Sequence, residues 1–309
     1  MKRPNYRFAP SPAREELRVR KTPESLESYV GRAGFDEEFI GSNARRVPLP
    51  GLGKWSGRER VAYRVDARDH YVLPYQHFSV VVSCERRMPL FSAVNIDGNG
   101  PRRRVSRTDV WKLDPRIPPK YQILEECYGR ANEGFFSRGH MTRREDANWG
   151  SRQLAVLADA DTFHVTNAAP QAQSFNSPVW LRLEDHLLTH TNEDNMRVSV
   201  ITGPVFSEDD PEMFGVRVPT RFWKVITFVH DRTRKLTVTG YLASQAEQVA
   251  GLRDLQYVFG HYLDWQVPLR CIVRLSGLDF GPLLQCDPLA GADERFALQL
   301  EKASDVYTQ

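Results

Sequence analysis

The stretch Phe136-Ser-Arg-Gly-His-Met-Thr-Arg-Arg-Glu-Asp-Ala-Asn-Trp-Gly150, followed by Val165-Thr-Asn-Ala-Ala-Pro-Gln-Ala-Gln-Ser-Phe-Asn-Ser-Pro-Val-Trp-Leu-Arg-Leu-Glu-Asp185, holds the densest chemistry in the chain. Two polar clusters bracket a short helix and a strand. In the first, Arg138 and His140 flank a glycine that lets the backbone approach a ligand, which sets a cation beside an imidazole. That pair suits a phosphate. In the second, Ser177 caps a helix with Pro178 at its first position, so Asn176 precedes the helix start and Glu184 lies two turns in. Eight residues advance roughly 800°, a net of about 80°, so Asn176 and Glu184 address the same side of the helix. An amide oxygen and a carboxylate form a sparse site for a hard cation such as magnesium, completed by water and phosphate.

Around these clusters the chain reads as strands. Val61 to Val65, Phe78 to Ser83 and Leu90 to Ile96 have strand texture, and the last ends at the turn signal Asp97-Gly-Asn-Gly100. Later strands are expected at Arg197 to Thr202, Phe222 to Val229, Leu236 to Leu242 and Cys271 to Leu275. Helices are expected at Pro178 to His190 and Ala246 to Phe259. The fold class is α+β, with a mixed, mainly antiparallel sheet and flanking helices. Residues 1–60 have a different texture, punctuated by Pro4, Pro10, Pro12, Pro23, Pro48 and Pro50, and read as an N-terminal extension to a domain spanning 61–309. Within that extension, Thr22-Pro23 starts a short helix whose Leu26, Tyr29 and Val30 need a surface to dock on, either the main domain or a second protomer.

Composition narrows the function classes. With 309 residues, 41% hydrophobic and 26% charged, the chain has ordinary globular usage. No apolar run approaches the roughly 20 residues of a membrane-spanning helix, so no membrane partner is expected. The basic start Met1-Lys-Arg has no apolar stretch behind it, which gives a cytoplasmic expectation. Cys84, Cys127, Cys271 and Cys286 are too widely spaced for a zinc ribbon and read as reduced, mostly buried thiols. The net charge of +3 names no partner. Residues 101–120, however, carry Arg102, Arg103, Arg104, Arg107, Lys112, Arg116 and Lys120 against Asp109 and Asp114. Gly51 to Gly57 lacks the spacing of a nucleotide fingerprint. His186 and His190 share a helix face, but Leu187 stands where a zinc protease needs Glu.

The three ordered motifs Ser137-Arg-Gly-His140, Thr166-Asn-Ala-Ala-Pro-Gln171 and Asn176-Ser-Pro-Val-Trp-Leu-Arg-Leu-Glu184 resemble those of the DNA/RNA non-specific endonucleases, the His-Me finger or ββα-metal group that includes endonuclease G. The resemblance runs from about Tyr63 to Leu289 and leaves the first sixty residues outside. Ser137 stands where better-studied members have Asp, and Leu188 where some have Arg. The resemblance implies a ββα-metal catalytic motif in which His140 is the general base that activates water. It further implies that Asn176 is the direct protein ligand of a single Mg2+ ion, with Mn2+ as an alternative, and that Glu184 holds the ion through water. Arg138 would contact the phosphate and Asn167 would position the site or the substrate. The basic segment Arg102, Arg103 and Arg104, together with Arg143 and Arg144, would contact the nucleic-acid backbone.

These expectations add up to a metal-dependent endonuclease acting on DNA, RNA or both, assembled as a homodimer as the resemblance implies. An unrestrained nuclease beside a chromosome would kill its host. Residues 1–60 are therefore expected to engage an inhibitor, an activating partner or an oligomer, as in a regulated intracellular toxin or defence effector. The alternative is a catalytically silent nucleic-acid-binding module with the same fold.

Overall fold

The computed structural model describes residues 19–20, 22–98, 105–106, 110–129, 136–172, 196–253, 264–293 and 296–299. In chain order its strands are β1 (Val19–Arg20), β2 (Leu73–Pro74), β3 (Phe78–Val82), β4 (Pro89–Asp97), β5 (Trp111–Lys112), β6 (Ser137–His140), β7 (Ala168–Gln171) and β8 (Arg197–Val205). They continue with β9 (Glu212–Met213), β10 (Val216–Arg217), β11 (Arg221–Val229), β12 (Leu236–Ser244), β13 (Asp264–Val267) and β14 (Leu298–Gln299). The α-helices are α1 (Arg144–Ala147), α2 (Arg152–Thr162), α3 (Ala246–Arg253) and α4 (Leu269–Ser276).

Eight strands make one sheet in the order β14-β13-β12-β11-β8-β4-β3-β2, and every neighbouring pair is antiparallel. The fold is thus α+β with a large antiparallel sheet. Strands β3, β4 and β8 are buried along almost their whole length because both faces of the sheet are covered. Side-chain alternation sorts them: Phe78, Val80 and Val82 join one core cluster, whereas Val81 joins another with Phe91, Ile201 and Trp223. Strands β4 and β8 are paired neighbours, yet residues 98–196 lie between them in sequence. Arg138, His140 and Asn167 thus lie in an insertion between two adjacent inner strands of the sheet.

Two expected strands differ. Val61 makes only an isolated bridge to Ser83, and the residues after it send their N–H groups elsewhere: Arg64 to the His70 carbonyl and Val65 to that of Arg116. The run Cys271 to Leu275 is helical within α4. A short apolar run fits either period, and its flanks settle the matter. The Asp287 carboxylate accepts the Leu269 N–H at 2.7 Å. At the other end Gly277 takes φ 71°, with its N–H on the Val273 carbonyl. The expected helix from Ala246 is present to Arg253. Residues 173–195, with the expected helix Pro178 to His190, lie outside the described residues.

Residues 22–60 wind over the sheet. Tyr29, Phe35, Val47 and Trp55 are buried in the same clusters as the strands. The Trp55 indole donates to the Ser276 carbonyl at 2.7 Å, and Gly51 bridges Asp279. The short helix is a single 3-10 turn, Leu26–Tyr29, starting after Ser25. Of its expected docking face only Tyr29 is buried on the main domain, with its hydroxyl 2.6 Å from His164 Nε2, while Leu26 and Val30 stay exposed.

Beneath that turn sits a buried ion pair. Arg116 Nη2 lies 2.7 Å from Asp114 Oδ2, with the two side chains 1% and 0% exposed. The guanidinium is 4.3 Å from the Tyr29 ring centroid and 4.6 Å from that of Tyr75. Burial works against ionisation of Asp114, but the Arg116 charge and its hydrogen bonds hold the carboxyl below its usual range. Removing one partner leaves an uncompensated buried charge. Asp114→Ala is expected to cost about 3–5 kcal/mol of unfolding free energy, read from a denaturant titration with an unchanged slope.

His164 is fully buried, with Nδ1 at 2.7 Å from the Asp161 carbonyl. A neutral ring satisfies both neighbours, Nδ1–H donating to the carbonyl and Nε2 accepting from Tyr29. Burial, reinforced by the Lys112 charge, pushes this imidazole well below its ordinary range, and burial lowers His77 in the same sense. Below about pH 6.5 the unfolded chain binds protons that these rings in the folded protein refuse. Their stabilising contribution is complete above that pH and declines as pH falls toward the folded values. The urea midpoint is expected to drop between pH 7.5 and pH 5.5, by up to about 1.4 kcal/mol per pH unit for each ring. A midpoint independent of pH over that window would contradict two neutral, buried imidazoles.

Candidate active site

Strands β6 and β7 form a two-stranded antiparallel ribbon in which His140 pairs with Ala168, Gly139 with Ala169, Arg138 with Pro170 and Ser137 with Gln171. Alternation along β6 puts Arg138 and His140 on one face and Ser137 and Gly139 on the other. The Ser137 hydroxyl donates to the Gln171 carbonyl at 3.0 Å, so it serves the ribbon itself. The space above Gly139 is filled by the Gln171 carboxamide, where an added Cβ would lie 2.0 Å from its carbon.

Arg138 and His140 rest on a shared wall, the buried indole of Trp111 in β5. The His140 ring centroid is 4.7 Å from that of Trp111, and the Arg138 guanidinium is 5.7 Å from it. Phe163 stands edge-on to His140 at 5.2 Å. The imidazole is half-buried, held on two sides by aromatic rings.

Asn167 determines where the chain leaves β6. Its carboxamide oxygen accepts the Thr142 N–H at 2.9 Å, while its nitrogen donates to the Thr142 carbonyl at 3.0 Å and the Thr162 carbonyl at 3.1 Å. Its own carbonyl accepts the Met141 N–H at 2.8 Å. Asn167 is wholly buried and fixes the two residues that follow His140. Three further ties set this finger on the sheet. The Thr142 and Ser92 hydroxyls are 2.6 Å apart, the Trp149 indole donates to the Asn95 carbonyl at 2.8 Å, and His77 Nδ1 meets the Ala147 carbonyl at 2.9 Å.

Arg138 is 8% exposed. Its guanidinium lies over the Tyr128 ring at 4.5 Å and donates to the Leu124 carbonyl. Burial lowers its pKa, against the opposing pull of Tyr128. Arg144 donates to the Asp159 carboxylate at 2.8 Å and to the Val105 carbonyl at 3.0 Å, and Arg143 lies 3.3 Å from Glu145. These two arginines are tied to carboxylates at the root of the finger. Asn176, Glu184, Arg102, Arg103 and Arg104 lie outside the described residues. The structure therefore brings together His140, Arg138 and Asn167 and adds Trp111, Phe163 and Thr142, which the sequence did not single out. Trp111 lies inside the basic stretch and reaches His140 only through long-range pairing, so no local pattern marks it.

The chain is similar to known proteins. A family model described as DNA/RNA non-specific endonuclease matches residues 56–286. The chain is 36% identical over 284 residues to the y4fB protein of Sinorhizobium fredii (strain NBRC 101917 / NGR234), covering 88% of this chain and 42% of that protein. It is 29% identical over 195 residues to the mitochondrial nuclease EXOG of Homo sapiens, covering 56% and 46%, and 27% identical over 246 residues to the mitochondrial endonuclease G of Homo sapiens, covering 76% and 71%. It thus spans less than half the length of two of these relatives. In fold it resembles a chain of the EndoG/EndoGI complex, with a TM-score of 0.50 at 24% identity over 67% of this chain and 84% of that one. With three quarters of its length inside the family model, the chain belongs to the DNA/RNA non-specific endonuclease family.

Proposed function

We propose that this chain is a metal-dependent endonuclease that hydrolyses phosphodiester bonds of DNA, RNA or both, with His140 as the general base. The observation that carries the reading is the rigid seating of His140. Its ring is braced by Trp111 and Phe163, and the backbone beyond it is clamped by Asn167. A base held this firmly delivers its nitrogen to one place, where it accepts the proton of a water attacking phosphorus. The new oxygen–phosphorus bond forms as the bond to the 3′ oxygen breaks, leaving a 5′ phosphate and a 3′ hydroxyl.

Asn176 and Glu184, the donors implied for a cation, lie outside the described residues. Among the described residues no group of three or more His, Cys, Asp or Glu side chains could hold a metal. The Asn167 carboxamide is wholly buried and engaged with Thr142 and Thr162. The hard donors read from the sequence, Asn176 directly and Glu184 through water, suit Mg2+ and would accept Mn2+. A bound ion would supply positive charge at the phosphate and the leaving oxygen. Arg138, wedged between Tyr128 and Trp111, adds a fixed cation on the same face as His140. Phosphate-directed side chains at 102–104 remain part of the reading. Homodimer assembly, a cytoplasmic setting and restraint by an inhibitor or activating partner belong to it too. In the EndoG/EndoGI complex, which this chain resembles in fold, EndoG is inhibited, and a comparable restraint suits a regulated intracellular toxin or defence effector.

Purified protein and His140→Ala, incubated with plasmid and RNA in Mg2+, Mn2+ or EDTA, test this directly. Cutting is expected to require the ion and to fall by about 10²–10⁴-fold in the variant. DNA binding by both proteins with cutting by neither would establish the silent binding module instead.

A further inference from the structure

The last turn of α2 and the two residues after it, Asp161-Thr-Phe-His164, bear on His140 once directly and once through Asn167. Phe163 stacks its edge against the imidazole, and the Thr162 carbonyl anchors the Asn167 side chain that fixes Met141 and Thr142. The same turn is held from behind by a segment that precedes the family-matched region. Arg32 Nε lies 2.7 Å from Asp161 Oδ2 and its Nη2 lies 3.2 Å from Oδ1, a two-pronged contact with side chains 10% and 0% exposed. Tyr29 adds its bond to His164, and Asp161 also accepts the Gln76 N–H at 2.9 Å.

We propose that Arg32 is a positioning residue for His140, acting through Asp161. The planar fork of Arg32 orients the Asp161 carboxylate, and so sets the height and tilt of the turn. Burial pushes the Asp161 carboxyl up in pKa, and Arg32 is the first group that opposes it. Without that guanidinium the buried carboxylate loses its counter-charge, and the turn shifts to reach a proton or water. Phe163 and the Thr162 carbonyl shift with it, and His140 loses its brace. Residues 22–55, outside the family match, are on this view part of the catalytic scaffold.

The proposal rests on the role of His140 as base, so its test has a readout that needs no catalysis. In histidine-labelled protein, the His140 ring resonances are identified by their loss in His140→Ala, then followed in Arg32→Ala and Arg32→Lys. Arg32→Ala is expected to shift them, with Arg32→Lys intermediate because it keeps the charge and loses the fork. In the cleavage assay Arg32→Ala is expected to lower kcat by about 10- to 100-fold, with KM within about twofold and partial recovery in Arg32→Lys. Asp161→Ala should produce the same loss, and the double variant no further loss. If Arg32→Ala fails to fold, Arg32→Lys against the parent decides on the same resonances. Unmoved His140 resonances in a folded Arg32 variant would overturn the proposal. A parent that cuts nothing would overturn the endonuclease reading instead, while the resonances still report on the brace.

Discussion

The carboxamide of Asn167 is the constraint on which the site depends. One buried side chain takes a hydrogen bond from the Thr142 N–H and gives one to each of two carbonyls, tying the end of β6 to the end of α2. Backbone groups leaving a two-stranded ribbon have no ladder partner beyond its last pair and must find one elsewhere. Asn167 supplies those partners from a single planar group, so the direction in which the chain leaves His140 has little freedom. An aspartate could not repeat this: ionised, it accepts but does not donate. The seating of His140 thus depends on an amide that is itself wholly buried.

That clamp would be worth little on a loose support. The finger is inserted between β4 and β8, two adjacent inner strands of the sheet, and both are buried on both faces. Its roots are therefore strands that cannot move without disturbing two packed layers. Ser92 and Asn95 on β4 meet Thr142 and Trp149 directly. On the far side, β1 pairs with β5, so the strand bearing Trp111 is itself backed by the N-terminal segment. The imidazole sits where three separately anchored pieces of chain converge.

Much of this was legible in the sequence, and the exceptions share a cause. The strands 78–82, 89–97, 197–205, 221–229 and 236–244 follow from β-rich apolar texture bounded by turn residues. The ribbon lay in the order of Arg138-Gly-His140 and Asn167 to Gln171. The run Cys271 to Leu275 fell on the wrong side because five apolar-rich residues carry no period, and a cap supplied by Asp287 is invisible locally. Arg138 beside His140 was legible, but the seating of its guanidinium on Tyr128 and the Leu124 carbonyl was not, because only the folded chain creates those contacts. The proline-rich texture of residues 1–60 likewise concealed Phe35, Val47 and Trp55, which are buried against distant parts of the chain.

The arginines of the finger show why a charge count is a poor guide to a nucleic-acid surface. Arg143 and Arg144 stand beside carboxylates, and Arg144 has a carboxylate and a main-chain carbonyl on one nitrogen. Attracting a polyanion requires charge that is not already neutralised within the protein, because a salt bridge must be broken before its cation can meet a phosphate. Arg116, from the same basic stretch, is consumed by Asp114 and two tyrosine rings deep beneath the site. Among the described residues of that stretch, Lys112 and Arg116 are paired with carboxylates, and Trp111 forms the wall beside His140. Stability and recognition draw on the same residue type here, and burial separates the two uses.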